Sequence, residues 1–392
     1  MDFELPEELK MVQSLARDFV ASQLKPLERS ILGRAADLSD ATMYLPEEKE
    51  RELMGMVKEM GLWGTGVPRE LGGAGLSTLG SCLVEEERAQ TIVPFDFGDV
   101  TPILFECSEE QKQRYFLPLF HRQKYAYLAL LEPERGAAID RLELSAKKVD
   151  HHYRLSGRKV SLSRAGRDYF AIVFGRLAGG RGTSEKGVTC FLVDKGTPGL
   201  TVSGGREKRG WEAGTREPIY LTFDNCQVPP ENVLGGEGKA FYLGRKWLPA
   251  RRIIRGARCV GAAQRILEEA TIQAQSWTSF GQAISRRPSV QAALGDMATS
   301  IHAARLMVYE SAWKADQGKG VLREAAMVKL FATQMIHLVA DNAAHVFNAP
   351  PYVAGLPLER FCRNAIAASS TDFALQLQRN IIARDILKGL KI

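Results

Sequence analysis

Between residues 124 and 234 the chain offers about seven short apolar and β-branched runs in succession: KYAYLALL, LELSAKKV, HYRLSGRKVSL, DYFAIVFGRL, GVTCFLVD, LTVSGG and PIYLTFDNCQV. Gly, Asp and Pro turns part them, as turns part strands. No helix-period segment lies between them, so the crossover helices that parallel strands need are missing. The pattern predicts a mostly antiparallel sheet and argues against a doubly wound dinucleotide-binding unit. Two polar stretches inside it, 178–186 and 206–217, read as long loops.

On either side the periodicity is helical. Leu9, Val12, Leu15, Ala16, Phe19, Val20 and Leu24 keep one apolar face as far as Pro26, and Leu53, Met56, Val57 and Met60 keep another as far as Gly61. Ser108 stands three before Gln111, a capping-box start for a helix that Pro118 ends or kinks. After residue 235 come four long helical patterns at 241–275, 290–317, 321–347 and 373–387, with short connections between the first three and a basic segment, PLERFCRNA, before the last. Long helices in succession read as a bundle. The expectation is an α+β chain: an N-terminal helical domain at 1–123, a central antiparallel β domain at 124–234 and a C-terminal four-helix bundle at 235–392.

Composition narrows the chemistry. A chain of 392 residues that is 45% hydrophobic and 25% charged can bury a large core. No apolar run of about 18 residues is present to span a bilayer. The start, MDFELPEELK, is acidic and unlike a signal or transit peptide, so a cytoplasmic location is expected. The six cysteines are scattered, without a C-x-x-C, so neither a disulfide framework nor a metal site is expected. The net charge of +6 suits an anionic small ligand. Arg251, Arg252, Arg255 and Arg258 concentrate that charge on the first bundle helix, but no nucleic-acid motif or interleaved aromatic accompanies them, so no nucleic-acid partner is expected. The Gly-rich stretch GVPRELGGAGLST matches neither phosphate-binding pattern and reads as a loop.

Ser369, Ser370, Thr371 and Asp372 precede the last helical pattern. Asp372 reads two ways. It is a helix N-cap, since an Asp side chain accepts from the first free amides, or it is a positioned carboxylate ready to take a proton.

Eight segments in order resemble the acyl-CoA dehydrogenase family. SEEQKQRYFLPL is similar to its acidic-QKxRxLP helix, LLEPERGAAID stands where the family has TEPxxGSD, and GRKVSLSRAG stands for GxKxWITNA. TFDNCQVPPENVLGGEGKAF is similar to the hinge before the bundle, and SFGQAI, AAMVKLFAT, PLERFCRNA and LQRNIIARDIL follow in their places. The resemblance covers nearly the whole chain. It implies FAD as cofactor, an acyl-CoA as substrate and an electron acceptor such as an electron-transfer flavoprotein. It also implies α,β-dehydrogenation, and usually a homotetramer whose flavin sites form between subunits.

Carried over by position, Asp372 falls at the catalytic Glu of the family, one methylene shorter. Ser163 falls at the hydroxyl near the flavin edge, Phe280 at the aromatic of the FG motif, and Gln376 in its expected place after the acid. Leu131 replaces the threonine before EP, Ser161 the tryptophan of WIT, and Trp277 the arginine that reaches the cofactor's pyrophosphate. The family's QxxGGxGY turn reads HVFNAPPY, with His345, Asn348, Ala349 and Pro351 in altered places. Arg252 matches the arginine beside the acyl-CoA channel. Two alternatives stand beside the dehydrogenase: a non-catalytic or half-active subunit that pairs with an intact homologue in a hetero-oligomer, and a nitroalkane-oxidase-like or monooxygenase-like flavoenzyme of the same fold.

Overall fold

The computed structural model describes residues 4–36, 45–133, 142–161, 168–178, 187–204, 218–347, 356–369 and 375–389. Its helices are α1 (Glu7–Phe19), α2 (Glu28–Ala36), α3 (Glu47–Glu59), α4 (Thr78–Arg88), α5 (Glu109–Gln111) and α6 (Leu117–Phe120). They continue as α7 (Ala240–Ser276), α8 (Pro288–Asp316), α9 (Leu322–Phe347), α10 (Pro357–Ala368) and α11 (Leu375–Gly389). The chain divides into two compact units: Met1–Phe97 with Gly210–Ala213 and Pro249–Ile392, and Gly98–Arg209 with Gly214–Leu248. No helix among the described residues is long and apolar enough to cross a membrane.

The second unit is built on a sheet. Its strands are β1 (Tyr125–Ala129), β2 (Ser145–Val149), β3 (His152–Ser161), β4 (Tyr169–Leu177), β5 (Val188–Asp194), β6 (Leu200–Gly204), β7 (Ile219–Val228) and β8 (Val233–Leu234). They run in the order β6-β7-β3-β2-β4-β5-β8, with β1 beside β4. The pairings are antiparallel except β1 and β2 with β4, which are parallel. All seven expected strands are present. The eighth is two residues long, too short for any periodicity to mark. In β4 the six residues Phe170–Gly175 are buried in unbroken succession, and in β5 Val188–Val193 are, as strands covered on both faces are. β3 and β7 alternate instead.

The approach to the sheet follows the capping box. Ser108 Oγ accepts from Gln111 N at 3.2 Å, and Gln111 Oε1 accepts from Ser108 N at 3.1 Å. Gln111 Nε2 then donates to the carbonyls of Glu231 and Val233 at 2.7 and 3.0 Å, tying this helix start to β8. Pro118 sits in the final short turn, α6.

In the helical unit α4 packs against α1 and α8. The N-terminus of α4 is closed by side chains: Ser77 Oγ accepts from Gly80 N, and the Asp316 carboxylate at the end of α8 accepts from Thr78 N and Leu79 N at 2.6 and 3.0 Å. These are amides that a helix leaves without partners of its own. Further along α4, three consecutive carboxylates each reach an arginine on a different helix: Glu85 to Arg258 on α7, Glu86 to Arg305 on α8, and Glu87 to Arg17 on α1.

Backbone contact is also close. A Cβ at Gly261 on α7 would stand 1.9 Å from Glu86 O, and one at Gly256 would stand 2.3 Å from Val328 Cγ1 on α9. Side-chain-free positions let α7 approach both neighbours. α10 was not anticipated, since its stretch reads only as basic. Leu358, Phe361 and Ala365 are nevertheless buried along one face, and Pro357 occupies the first turn, where its missing N–H costs nothing.

Candidate active site

Two of the residues expected at the flavin, Leu131 and Ser161, are brought together inside the sheet unit. The segment after β1 turns back to meet β3, and Leu131 forms an isolated antiparallel bridge with Val160, whose N–H donates to Leu131 O at 2.9 Å. Ser161 is the next residue and is buried; Leu131 is half-buried.

One position from Leu131 and two from Ser161 lies a buried charged pair. Lys159, fully buried, donates from Nζ to Glu132 Oε1 at 3.0 Å and to Leu130 O at 3.1 Å. Glu132 also accepts from Glu143 N at 3.0 Å and Leu144 N at 2.9 Å. Burial pushes the Lys159 ammonium down to about 8, with Glu132 opposing the shift. Burial pushes the Glu132 carboxyl up, but the two backbone donors and Lys159 outweigh it and hold it below its ordinary value. In each group the partner's charge opposes the effect of burial.

This pair was missed from the sequence, although a signal existed. Tyr153, Leu155, Lys159 and Ser161 occupy the buried phase of β3. A lysine in the inward phase of a strand needs a buried acid, because an unpaired buried charge is costly.

The remaining candidates lie in the helical unit. Arg252 sits on the buried side of α7, one turn before Gly256, at 4% exposure. Phe280 is at the tip of the hairpin β9 (Thr278–Ser279) and β10 (Gln282–Ala283), 98% exposed and at φ +53°, with Trp277 half exposed beside the hairpin. His345, in the last turn of α9, is exposed, with Nε2 3.8 Å from Asp341 Oδ2. Gln376 is exposed in the first turn of α11 and donates to Asn380 Oδ1 at 3.4 Å. Asp372 and Ser163 lie outside the described residues, as do Asn348, Ala349 and Pro351. The buried Lys329 on α9 donates to Ala368 O at 2.6 Å, placing its ammonium at the C-terminus of α10, where the helix dipole favours a cation. Among the described residues no cluster of His, Cys, Asp or Glu could hold a metal ion.

The exposed groups are of the kinds that hold a flavin dinucleotide. A carboxamide and an imidazole can hydrogen-bond its rim and phosphates, and an open aromatic ring can stack on its flat faces. The half-open aliphatic Leu131 can cover an apolar ring face.

Comparison with known proteins agrees along the whole chain. Residues 6–122 match the family model described as "Acyl-CoA dehydrogenase, N-terminal domain", 128–226 the corresponding middle domain and 239–387 the C-terminal domain. The (R)-benzylsuccinyl-CoA dehydrogenase of Thauera aromatica is 32% identical over 99% of this chain and 97% of its own length. The butyryl-CoA dehydrogenase structure from Megasphaera elsdenii is 26% identical and superposes with a TM-score of 0.83 over 99% of this chain and all of that one. A chain solved in work on the electron transferring flavoprotein of Acidaminococcus fermentans is 28% identical, with a TM-score of 0.83 over 99% of this chain and all of that one. The family's members are FAD flavoproteins and oxidoreductases acting on CH–CH bonds. The chain belongs to the acyl-CoA dehydrogenase family.

Proposed function

We propose that this chain dehydrogenates an acyl-CoA thioester between its α and β carbons, with Asp372 as the base. The observation that carries the reading is the agreement of all three family domains, in order and over nearly the full length, with an acid at position 372 of the sequence, where the family resemblance implies the base. FAD supplies the acceptor for the β-hydride. The chain's own residues do the rest. Asp372 takes the α-proton, Arg252 lies toward the acyl-CoA, and Leu131, Ser161, Ser163, Phe280, His345 and Gln376 hold the cofactor.

Removing a proton next to a thioester carbonyl needs a base held within hydrogen-bond reach and away from water. An aspartate reaches about 1.5 Å less far than a glutamate, so the substrate or the backbone must stand correspondingly closer. An electron-transfer flavoprotein as acceptor, a homotetramer and a cytoplasmic location complete the proposal. A second reading, a subunit that completes its flavin site with a homologue, draws on Trp277, which is exposed where relatives carry a pyrophosphate-binding arginine.

The test is made on protein expressed alone and loaded with FAD. Anaerobic addition of acyl-CoA should bleach the flavin, and Asp372→Asn should slow that bleaching by about 10²–10⁴-fold, the usual contribution of a general base. Asn also caps helices, so stability should hardly change. An unaltered rate in Asp372→Asn would remove Asp372 from the mechanism. Protein that takes up no FAD until mixed with a homologue would favour the second reading.

A further inference from the structure

The buried pair beside the candidate flavin edge does more geometrically than neutralise itself. Glu132 accepts from the backbone of Glu143 and Leu144, eleven and twelve residues further along the chain. One carboxylate thus ties the two ends of the 133–142 segment to each other. Lys159 binds that same carboxylate and also the carbonyl of Leu130. The two side chains therefore fasten three pieces of backbone: the 130–132 edge, the 143–144 return and β3.

Leu144 is packed so that the return can come this near. A Cβ at Gly157 would stand 2.9 Å from Leu144 Cα, and one at Gly175 would stand 2.7 Å from Leu144 Cδ2. Gly157 has φ +144°, a conformation that glycine accepts and other residues resist. Arg176 adds two bonds to the same return, its N–H to Leu144 O at 2.8 Å and its Nε to Leu142 O at 3.2 Å. Leu131 and Ser161 each lie within two residues of a member of the pair and are joined through the bridge at Val160. Their spacing is set where Glu132 and Lys159 meet.

We propose that Glu132 and Lys159 are positioning residues for the reaction, a buried clamp that holds Leu131 and Ser161 in the arrangement the cofactor needs. This rests on the dehydrogenase reading above for its ligand, but not for its geometry. A pair serving general stability alone would loosen the whole sheet evenly when broken. A clamp would loosen one corner of it, and would spoil cofactor binding and turnover in molecules that remain folded.

The test uses the full chain with Lys159→Met and, separately, Glu132→Gln, which keeps the side-chain length and an acceptor while removing the charge. The first readout is backbone hydrogen exchange in protein without FAD. Exchange at Glu143, Leu144 and Val160 should accelerate at least about tenfold in each variant, while the β4–β5 ladder keeps its wild-type rates. The second readout is titration with FAD, for which the dissociation constant should rise at least about tenfold. The third is steady-state kinetics with the acyl-CoA that bleaches the wild-type flavin. There kcat should fall about 10²-fold, the cost of a misplacement near 1 Å, with KM changed far less. Lys159→Arg, which retains the charge, should recover part of each loss.

An even rise in exchange over the whole sheet would overturn the proposal, as would unchanged exchange at these amides or unchanged FAD affinity in folded variants. Failure of both variants to fold would also overturn it, by making the pair a requirement of the fold as a whole. Should the wild type itself take up no FAD, the dehydrogenase reading fails while the exchange measurement still decides whether the clamp exists.

Discussion

Replacing Gly261 by alanine should destabilise the helical unit, although alanine is the better helix former. The added Cβ would meet Glu86 O at 1.9 Å, Glu86 C at 2.7 Å and Glu86 Cα at 3.0 Å. Ordinary contact begins near 3.4 Å, so α7 and α4 would have to part by about 1.5 Å at this point. All three atoms are backbone, and no side-chain rotation relieves the clash. Overpacking of a close-packed interior costs about 1–3 kcal/mol, and more when backbone must shift. Exchanging glycine for alanine inside a helix returns about 1 kcal/mol. A net loss of about 2 kcal/mol follows from the upper end of that range, because the displaced interface also carries the Arg258–Glu85 pair.

Gly295 is the control. It lies within α8, exposed, and a Cβ there would meet nothing within 4 Å. Gly295→Ala should therefore stabilise by up to about 1 kcal/mol. Urea denaturation of both variants, followed by far-ultraviolet circular dichroism, should place their midpoints on opposite sides of the wild type. A Gly261→Ala midpoint equal to or above that of Gly295→Ala would refute the argument that backbone proximity governs this contact.

Other consequences can be checked in the same way. Arg258 and Arg88 overcome the upward push of burial and hold the Glu85 carboxyl well below its ordinary value of 4.5, so its stabilisation is present above pH 4.5 and is lost as pH falls toward the folded value. Glu85→Gln should accordingly lie below the wild type in stability at pH 7, with the gap narrowing below pH 4.5; parallel curves down to pH 3 would contradict this. Glu86 has the opposite sign, since burial raises its pKa, and contributes nothing to that acid-side loss. Arg305→Met would leave Glu86 buried without its guanidinium, keeping only the Tyr309 hydroxyl; a loss of about 3–5 kcal/mol in urea unfolding is expected. Trp277→Arg, which introduces the residue type that the family resemblance implies at the cofactor's pyrophosphate, should tighten FAD binding in a fluorescence titration; an unchanged dissociation constant would separate this position from the cofactor.

Much of this architecture could be read from the chain because it rests on periodicity and local chemistry. The seven strand patterns, the Ser108–Gln111 capping box and the three long helices before residue 350 are all written in contiguous stretches of chain. What the sequence hid is what depends on distant partners. Lys159 and Glu132 lie within motifs that drew attention to their neighbours, yet their pairing exists only once β3 meets the segment after β1. The acids of α4 look like an ordinary charged helix end until α1, α7 and α8 surround them. The basic stripe at Arg251, Arg252, Arg255 and Arg258 is likewise divided by the fold, with Arg252 buried and Arg258 bound to Glu85. β8 and α10 were too short or too mixed in charge for periodicity to mark.

The α4 carboxylates also set a timetable. Glu87 finds Arg17, which precedes it by 70 residues, and Glu85 has Arg88 beside it, but Glu85 waits for its second arginine 173 residues downstream and Glu86 for one 219 residues downstream. At about 5–20 residues per second, the ribosome takes on the order of 10 to 40 s to supply the last of them. Until then a helix bearing acids destined for burial, next to Cys82 and Leu83, lacks the surfaces that will cover it. The N-terminal quarter of this protein is thus committed early to a neighbourhood that only residues after 250 complete.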